Sequence, residues 1–265
     1  MSAAERNNVT VLGDGPMTMV LAHGYGCDQT MWRLVAPHFA ETYRVVTFDY
    51  VGCGKADVRS YDPRRYATLG GYAQDVLDIC SELDVQNAVF VGHSVSSMVG
   101  LLAAKQQPNH FEKLVMLCPS PRYVNEPDFE WGFDRAAIEG LLDMIEGGRH
   151  DWSTFLAGLV VHDDERQDLA AELEQSFCTM EPDIARRFAA ATFYADNRAD
   201  LVGFDARTLI VQCTRDIVSA PPVGQYVHEH LANSTMSYLD VAGHCPHLSH
   251  PAQTIETIDA FLAAA

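Results

Sequence analysis

An α/β fold built on a mostly parallel sheet is what this chain predicts, on three observations. Short, nearly continuous apolar runs rich in Val, Ile and Leu recur along its 265 residues, as strands covered on both faces require. Longer segments with apolar residues at helical spacing separate them, the alternation that right-handed strand–helix–strand crossovers produce. Hydrophobic residues make up 48% of the chain, enough for a sizeable core.

In order, the strand candidates are VTVLG (9–13), MTMVLAHG (17–24), YRVVTFDYVG (43–52), NAVFVGHS (87–94), KLVMLCPS (113–120), TLIVQCTRD (208–216) and MSYLDVAGH (236–244). In LGGYAQDVLDICSELD, Tyr72, Val76, Ile79 and Leu83 fall on one helical face. The helix in VSSMVGLLAAKQQP stops at Pro108, which cannot continue it. From about 121 to 203 the alternation breaks and helical segments follow one another without a strand. Ile138, Leu141, Leu142 and Ile145 mark one of these, Leu169, Leu173 and Phe177 another, and Pro182 suits the first turn of a third. This is an insertion between two strands. It predicts a helical cap over residues 121–203, with residues 1–120 and 204–265 forming the core.

Charge and cysteine usage exclude several classes of function. Eighteen basic against 36 acidic residues give a net charge of −18, which opposes binding to phosphate backbones and to anionic membranes. Neither a nucleic-acid nor a membrane partner is expected. Seven cysteines stand singly at 27, 53, 80, 118, 178, 213 and 245 with no C-x-x-C, so neither a disulfide framework nor a zinc site is predicted. The opening MSAAERNNVTVLGDG has no apolar core of the signal-peptide kind, and no run approaches the ~18 apolar residues of a membrane span. A cytoplasmic location is the simplest expectation.

The chemistry concentrates in VFVGHSVSSMVG, where a polar Gly-His-Ser joins a buried strand to a helix. Such a turn forces its apex residue into a strained conformation and needs small neighbours. Gly92-His93-Ser94-Val95-Ser96 fits the G-x-S-x-G nucleophile elbow, with Ser96 at the final glycine's place. A serine hydroxyl becomes a useful nucleophile only when an imidazole takes its proton, and a carboxylate must fix that imidazole's tautomer. The chain order Ser…Asp…His, each after a strand, selects Asp216 after TLIVQCTR and His244 after MSYLDVAG. His247 and His250 are rivals. His247 is expected one helical turn further on, satisfied by the backbone, and His93 is expected to be a buried hydrogen-bonding side chain. Asp49 precedes the serine and reads as a structural loop aspartate. Two amides must face a developing oxyanion: Val95, after the nucleophile, and Tyr25, in the His23-Gly24-Tyr25-Gly26 turn. This chemistry needs no cofactor and no metal. Cys118 and Cys245 read as packing residues.

With these residues in view, the chain resembles the α/β-hydrolase superfamily. Within it, the chain is similar to the RsbQ-type bacterial stress regulators and to the plant strigolactone and karrikin receptor hydrolases. HGYGCDQTMW, FDYVGCGKAD, VGHSVSSMVG, LCPSPRYVNEPDFEWGF, FCTMEPDIARRFA and GHCPHLSHP carry the resemblance. It implies a sheet of eight strands under a V-shaped cap of four helices, and a deep apolar pocket walled by Tyr123, Phe133, Phe177 and Phe193. Ser94, Asp216 and His244 would form the triad, with Tyr25 where phenylalanine is usual and Leu156 where relatives place an aromatic. The implied activity is hydrolysis of small apolar esters or lactones through an acyl-enzyme. Two alternatives stand beside it. One is a signalling component acting with a PP2C-type phosphatase partner; the other is a butenolide hydrolase of the strigolactone kind. Carbon–carbon hydrolysis and perhydrolysis also fit a triad, whereas dehalogenase and epoxide-hydrolase chemistry would put aspartate at 94.

Overall fold

The computed structural model describes residues 1–147, 151–161, 166–177 and 179–264; Cys178 lies outside them. The chain runs α1 (Ala3–Arg6), β1 (Thr10–Leu12), β2 (Met17–Ala22), α2 (Ala36–Phe39), β3 (Tyr43–Thr47), α3 (Leu69–Glu82), β4 (Ala88–His93), α4 (Val95–Gln106) and β5 (Phe111–Leu117). It continues with α5 (Arg135–Glu146), α6 (Asp151–Val161), α7 (Gln167–Phe177), α8 (Pro182–Phe193) and α9 (Arg198–Leu201), then β6 (Arg207–Arg215), α10 (Pro221–His230), β7 (Ser234–Ala242), α11 (Pro246–Ser249) and α12 (Pro251–Ala263).

The strands form one sheet in the order β1-β3-β2-β4-β5-β6-β7. Only β1 is antiparallel to its neighbour, with Val11 opposite Val46. Alternation along the strands divides the core in two. Val20, Val46, Phe90, Leu114, Met116 and Ile210 face α3, α4 and the cap. Met19, Leu21, Val45, Val89, Val91, Val115 and Val211 face Trp32, Phe39, Ile258 and Phe261. Because both faces are covered, the central strands read as unbroken apolar runs.

Two expectations need correction. The described residues contain seven strands, not eight. Residues ahead of β1 form the helical turn α1 instead, capped by Ser2 and Glu5 in a reciprocal capping box. The run 43–52 also ends as a strand at Thr47. Beyond it the Asp49 carboxylate gathers the Gln29 and Lys55 amides and the Asn8 side chain into a loop, and that loop departs from the sheet.

Between β5 and β6 the chain leaves the sheet for α5–α9. Helix α5 packs on α8 and α6 on α7. Their buried stripes are the residues that helical spacing selects: Ile138, Leu141, Leu142 and Ile145 on α5, and Leu169, Leu173 and Phe177 on α7. Pro182 opens α8. No helix among the described residues is long and apolar enough to cross a membrane.

Candidate active site

Parallel strands end on one edge of the sheet, and loops that follow them converge there. The loops after β2, β4, β5, β6 and β7 bring Tyr25, Ser94, Tyr123, Asp216 and His244 together. Ser94 stands between β4 and α4 with φ 56° and ψ −123°, a conformation that strains any non-glycine residue and persists only where its surroundings enforce it. Here the Ser94 amide donates to the Leu117 carbonyl at 2.8 Å, and the Ser97 amide to the Ser94 carbonyl at 2.9 Å. Gly92 is obligatory, because a Cβ there would lie 2.5 Å from the Ser96 carbonyl oxygen. Ser96 contributes more than smallness: its hydroxyl donates to the His23 carbonyl and meets the Tyr50 hydroxyl at 2.8 Å. The elbow is thereby tied to the loop after β2.

The Ser94 hydroxyl lies 2.8 Å from His244 Nε2, and His244 Nδ1 lies 2.7 Å from Asp216 Oδ2. The other Asp216 oxygen accepts the Val218 and Ser219 amides at 2.8 and 3.0 Å, so the carboxylate is held at both ends. Burial alone would lower the His244 pKa. The adjacent Asp216 charge and its hydrogen bond outweigh burial and lift the pKa above the ordinary histidine range. The His244 loop is fixed from the cap, as its amide donates to the Val160 carbonyl at 2.7 Å. Gly243, at φ 89°, has no room for a side chain beside the Val161 carbonyl.

Val95 opens α4, so its N–H is one of the helix's free first-turn donors. The Tyr25 N–H has no acceptor among the described residues. Its ring is wedged against Phe177, Phe188 and Phe193, and its hydroxyl donates to the Ala185 carbonyl at 3.0 Å. Gly26, at φ 72°, leaves space for the Phe177 ring.

Above Ser94 lies a narrow pocket walled by Tyr25, Tyr123, Leu156, Phe177, Thr192 and Phe193 among others. Phe133 is elsewhere: it lines a neighbouring apolar space formed with Ile138, Leu141 and Leu159. Leu156, Phe193 and Val218 border both spaces. Tyr123 is more than wall, since its hydroxyl reaches the Ser94 hydroxyl at 3.2 Å. Aromatic spacing carries no sign of that contact. Burial raises the Tyr123 pKa, so the phenol stays protonated.

The remaining histidines separate clearly. His93 Nε2 donates to the His244 carbonyl at 2.8 Å. His247 sits in α11, but the backbone does not satisfy it. Neither ring nitrogen has a partner among the described residues; the ring is packed between Trp32 and His93 at 4.6 and 4.5 Å. Burial lowers its pKa to about 3, and the ring stays neutral. His250 caps α12 with its backbone. Asp49 is the loop organiser described above.

Cys118, Asp216 and His244 present donor atoms within 4.8 Å of one another. Burial and contact with Cys213 at 3.6 Å keep the Cys118 thiol protonated. The other two already bond each other, so a cation would have to break that pair. Burial likewise raises the Cys245 thiol pKa.

The alpha/beta hydrolase family profile matches residues 19–257. This chain is an alpha/beta hydrolase. It is 36% identical to a karrikin insensitive 2 receptor of Petunia hybrida, over 93% of this chain and 92% of the other. It is also 36% identical to a strigolactone esterase of Arabidopsis thaliana, over 94% and 93%. A solved hydrolase from Oleispira antarctica superposes with a TM-score of 0.96 at 37% identity, covering 99% of this alpha/beta hydrolase and 97% of the other chain.

Proposed function

We propose that this hydrolase cleaves small apolar esters or lactones through an acyl-enzyme on Ser94. The observation that carries the reading is the unbroken hydrogen-bonded line from Ser94 through His244 to Asp216, at 2.8 and 2.7 Å. In the first step Ser94 Oγ attacks the acyl carbon while His244 Nε2 takes its proton. The Tyr25 and Val95 amides receive the oxyanion. Collapse of the tetrahedral intermediate expels the alcohol, which takes the proton back from His244. Water, deprotonated by the same nitrogen, then releases the acid and restores Ser94. Asp216 keeps Nδ1 protonated throughout. Tyr123, Phe177 and Phe193 favour an apolar acyl group close to the nucleophile, and Phe133 meets only what reaches the second cavity. Sheet core (1–120 and 204–265) and cap (121–203) act together in this reading.

Ser94→Ala should lower kcat/KM for p-nitrophenyl butyrate by about 10⁶ with no loss of thermal stability. A folded variant within tenfold of wild type would refute the mechanism.

One contact favours a second reading, in which pocket occupancy is passed to a protein partner such as a PP2C-type phosphatase. The Val160 carbonyl of cap helix α6 holds the His244 amide directly, so a change at His244 is felt at the cap. Hydrogen exchange in α6 should change when a slowly hydrolysed ester occupies the pocket. Unchanged exchange there would count against this reading.

A further inference from the structure

The space above Ser94 is apolar but for a few polar side-chain atoms, and nearly all of those are engaged. The Ser94 and His244 side chains bond each other, the Tyr25 hydroxyl donates to Ala185, and the Tyr123 hydroxyl meets Ser94. His93 Nδ1 has no partner among the described residues, but it is turned under the β2 loop, where a Cβ on Gly24 would lie 2.7 Å away. That leaves Thr192. It lines the cavity from α8, is 2% exposed, and its hydroxyl has no hydrogen-bond partner among the described residues.

A helical threonine ordinarily turns its hydroxyl back to the carbonyl four residues earlier, here Phe188, and Thr192 makes no such bond. A buried hydroxyl left unpaired costs free energy that valine, of the same shape, would avoid. The next residue, Phe193, packs edge-on against Tyr123 at 5.3 Å. Thr192 therefore lies on the cap side of the same chamber that holds the nucleophile.

We propose that Thr192 is a specificity-determining residue whose hydroxyl bonds a second oxygen of the substrate, distinct from the scissile acyl group. The preferred class is then a compact oxygenated ester or lactone, carrying an ether, carbonyl or hydroxyl oxygen within an otherwise apolar body. This rests on the hydrolase reading above. It adds a directional contact to a wall that would otherwise select by size alone.

The test compares p-nitrophenyl methoxyacetate with p-nitrophenyl butyrate, and p-nitrophenyl 3-methoxypropionate with the valerate. Each pair differs by an ether oxygen in place of one methylene. Variant-to-wild-type ratios cancel the unequal intrinsic reactivity of the esters. Thr192→Val should lower kcat/KM for one of the ether esters about tenfold more than for its hydrocarbon twin, the worth of one hydrogen bond. Thr192→Ser should restore most of that difference, and melting curves establish that both variants fold. Equal factors on both members of both pairs would overturn the proposal. If the wild type turned over none of these esters, or Ser94→Ala turned them over as fast, the hydrolase reading itself would fall. Thr192 would then be judged by equilibrium binding of methyl methoxyacetate against methyl butyrate: a preference for the ether that Thr192→Val removes supports it, and equal affinities overturn it.

Discussion

Replacing Asp216 by asparagine keeps the side chain's shape and removes its charge, and the structure dictates which way the new amide must face. One Asp216 oxygen accepts two backbone amides, from Val218 and Ser219, at 2.8 and 3.0 Å. An asparagine NH₂ placed there would meet two N–H donors and forfeit two hydrogen bonds, each worth about 1 kcal/mol. The amide oxygen therefore stays on that side and the NH₂ points at His244 Nδ1. That nitrogen must then accept, which puts the ring proton on Nε2, the atom 2.8 Å from Ser94. A protonated Nε2 cannot take the serine proton. Activity should fall by about 10⁴, or roughly 5.5 kcal/mol at 1.36 kcal/mol per decade. The pH dependence gives a second readout. In the wild type the Asp216 charge raises the His244 pKa against burial. The base works only when neutral, so kcat/KM rises with pH through that elevated value. Without the charge, burial prevails and the acid limb of the residual activity moves to lower pH. Profiles for p-nitrophenyl butyrate from pH 5 to 10 would measure both effects. A folded variant that lost less than a hundredfold, or whose acid limb stayed in place, would refute the assigned roles.

Two further substitutions probe how the cap and the loops share the site. Gly243→Ala would bring a Cβ to 2.3 Å from the Val161 carbonyl at φ 89°, so stability should fall by about 2 kcal/mol and Tm by roughly 4–8 °C. Activity should drop more than tenfold as His244 is displaced; an unchanged Tm and rate would contradict the close packing. Leu156→Ala opens the wall between the two cavities and should cost about 2–5 kcal/mol. It should also raise the kcat/KM ratio of p-nitrophenyl octanoate to acetate, and a folded variant with an unaltered ratio would show that Leu156 does not partition the space.

Much of the site could be read from the chain because a parallel sheet does the positioning. A serine, an aspartate and a histidine that each follow a strand must emerge on one edge, whatever lies between them. The elbow was equally plain, since a strand running straight into a helix leaves its apex no ordinary backbone conformation, and Ser94 has none. What escaped is set by side-chain contacts across the fold. Nothing local to Tyr123 says that its hydroxyl meets Ser94, because β5 and the cap entry decide where it lands. The His247 ring follows a strand, a glycine and three more residues, yet its place against the Trp32 ring depends on a residue more than two hundred positions earlier. Ahead of β1, likewise, the chain turns as a helix because the Ser2 and Glu5 side chains cap it reciprocally.

The cap is bonded to the loops it covers, which changes what opening it would mean. Helix α6 accepts the His244 amide through Val160. Helix α7 donates from Ser176 to the Gly26 carbonyl at 3.0 Å and lays Phe177 against that glycine. Helix α8 accepts the Tyr25 hydroxyl through Ala185. Base and oxyanion loop are thus each anchored to a different cap helix, by bonds worth about 1 kcal/mol apiece. Lifting the cap to admit substrate would release both at once, and they regain their places only as it closes. Under the proposed mechanism, any movement that lifted these helices would disturb the base and the oxyanion loop together.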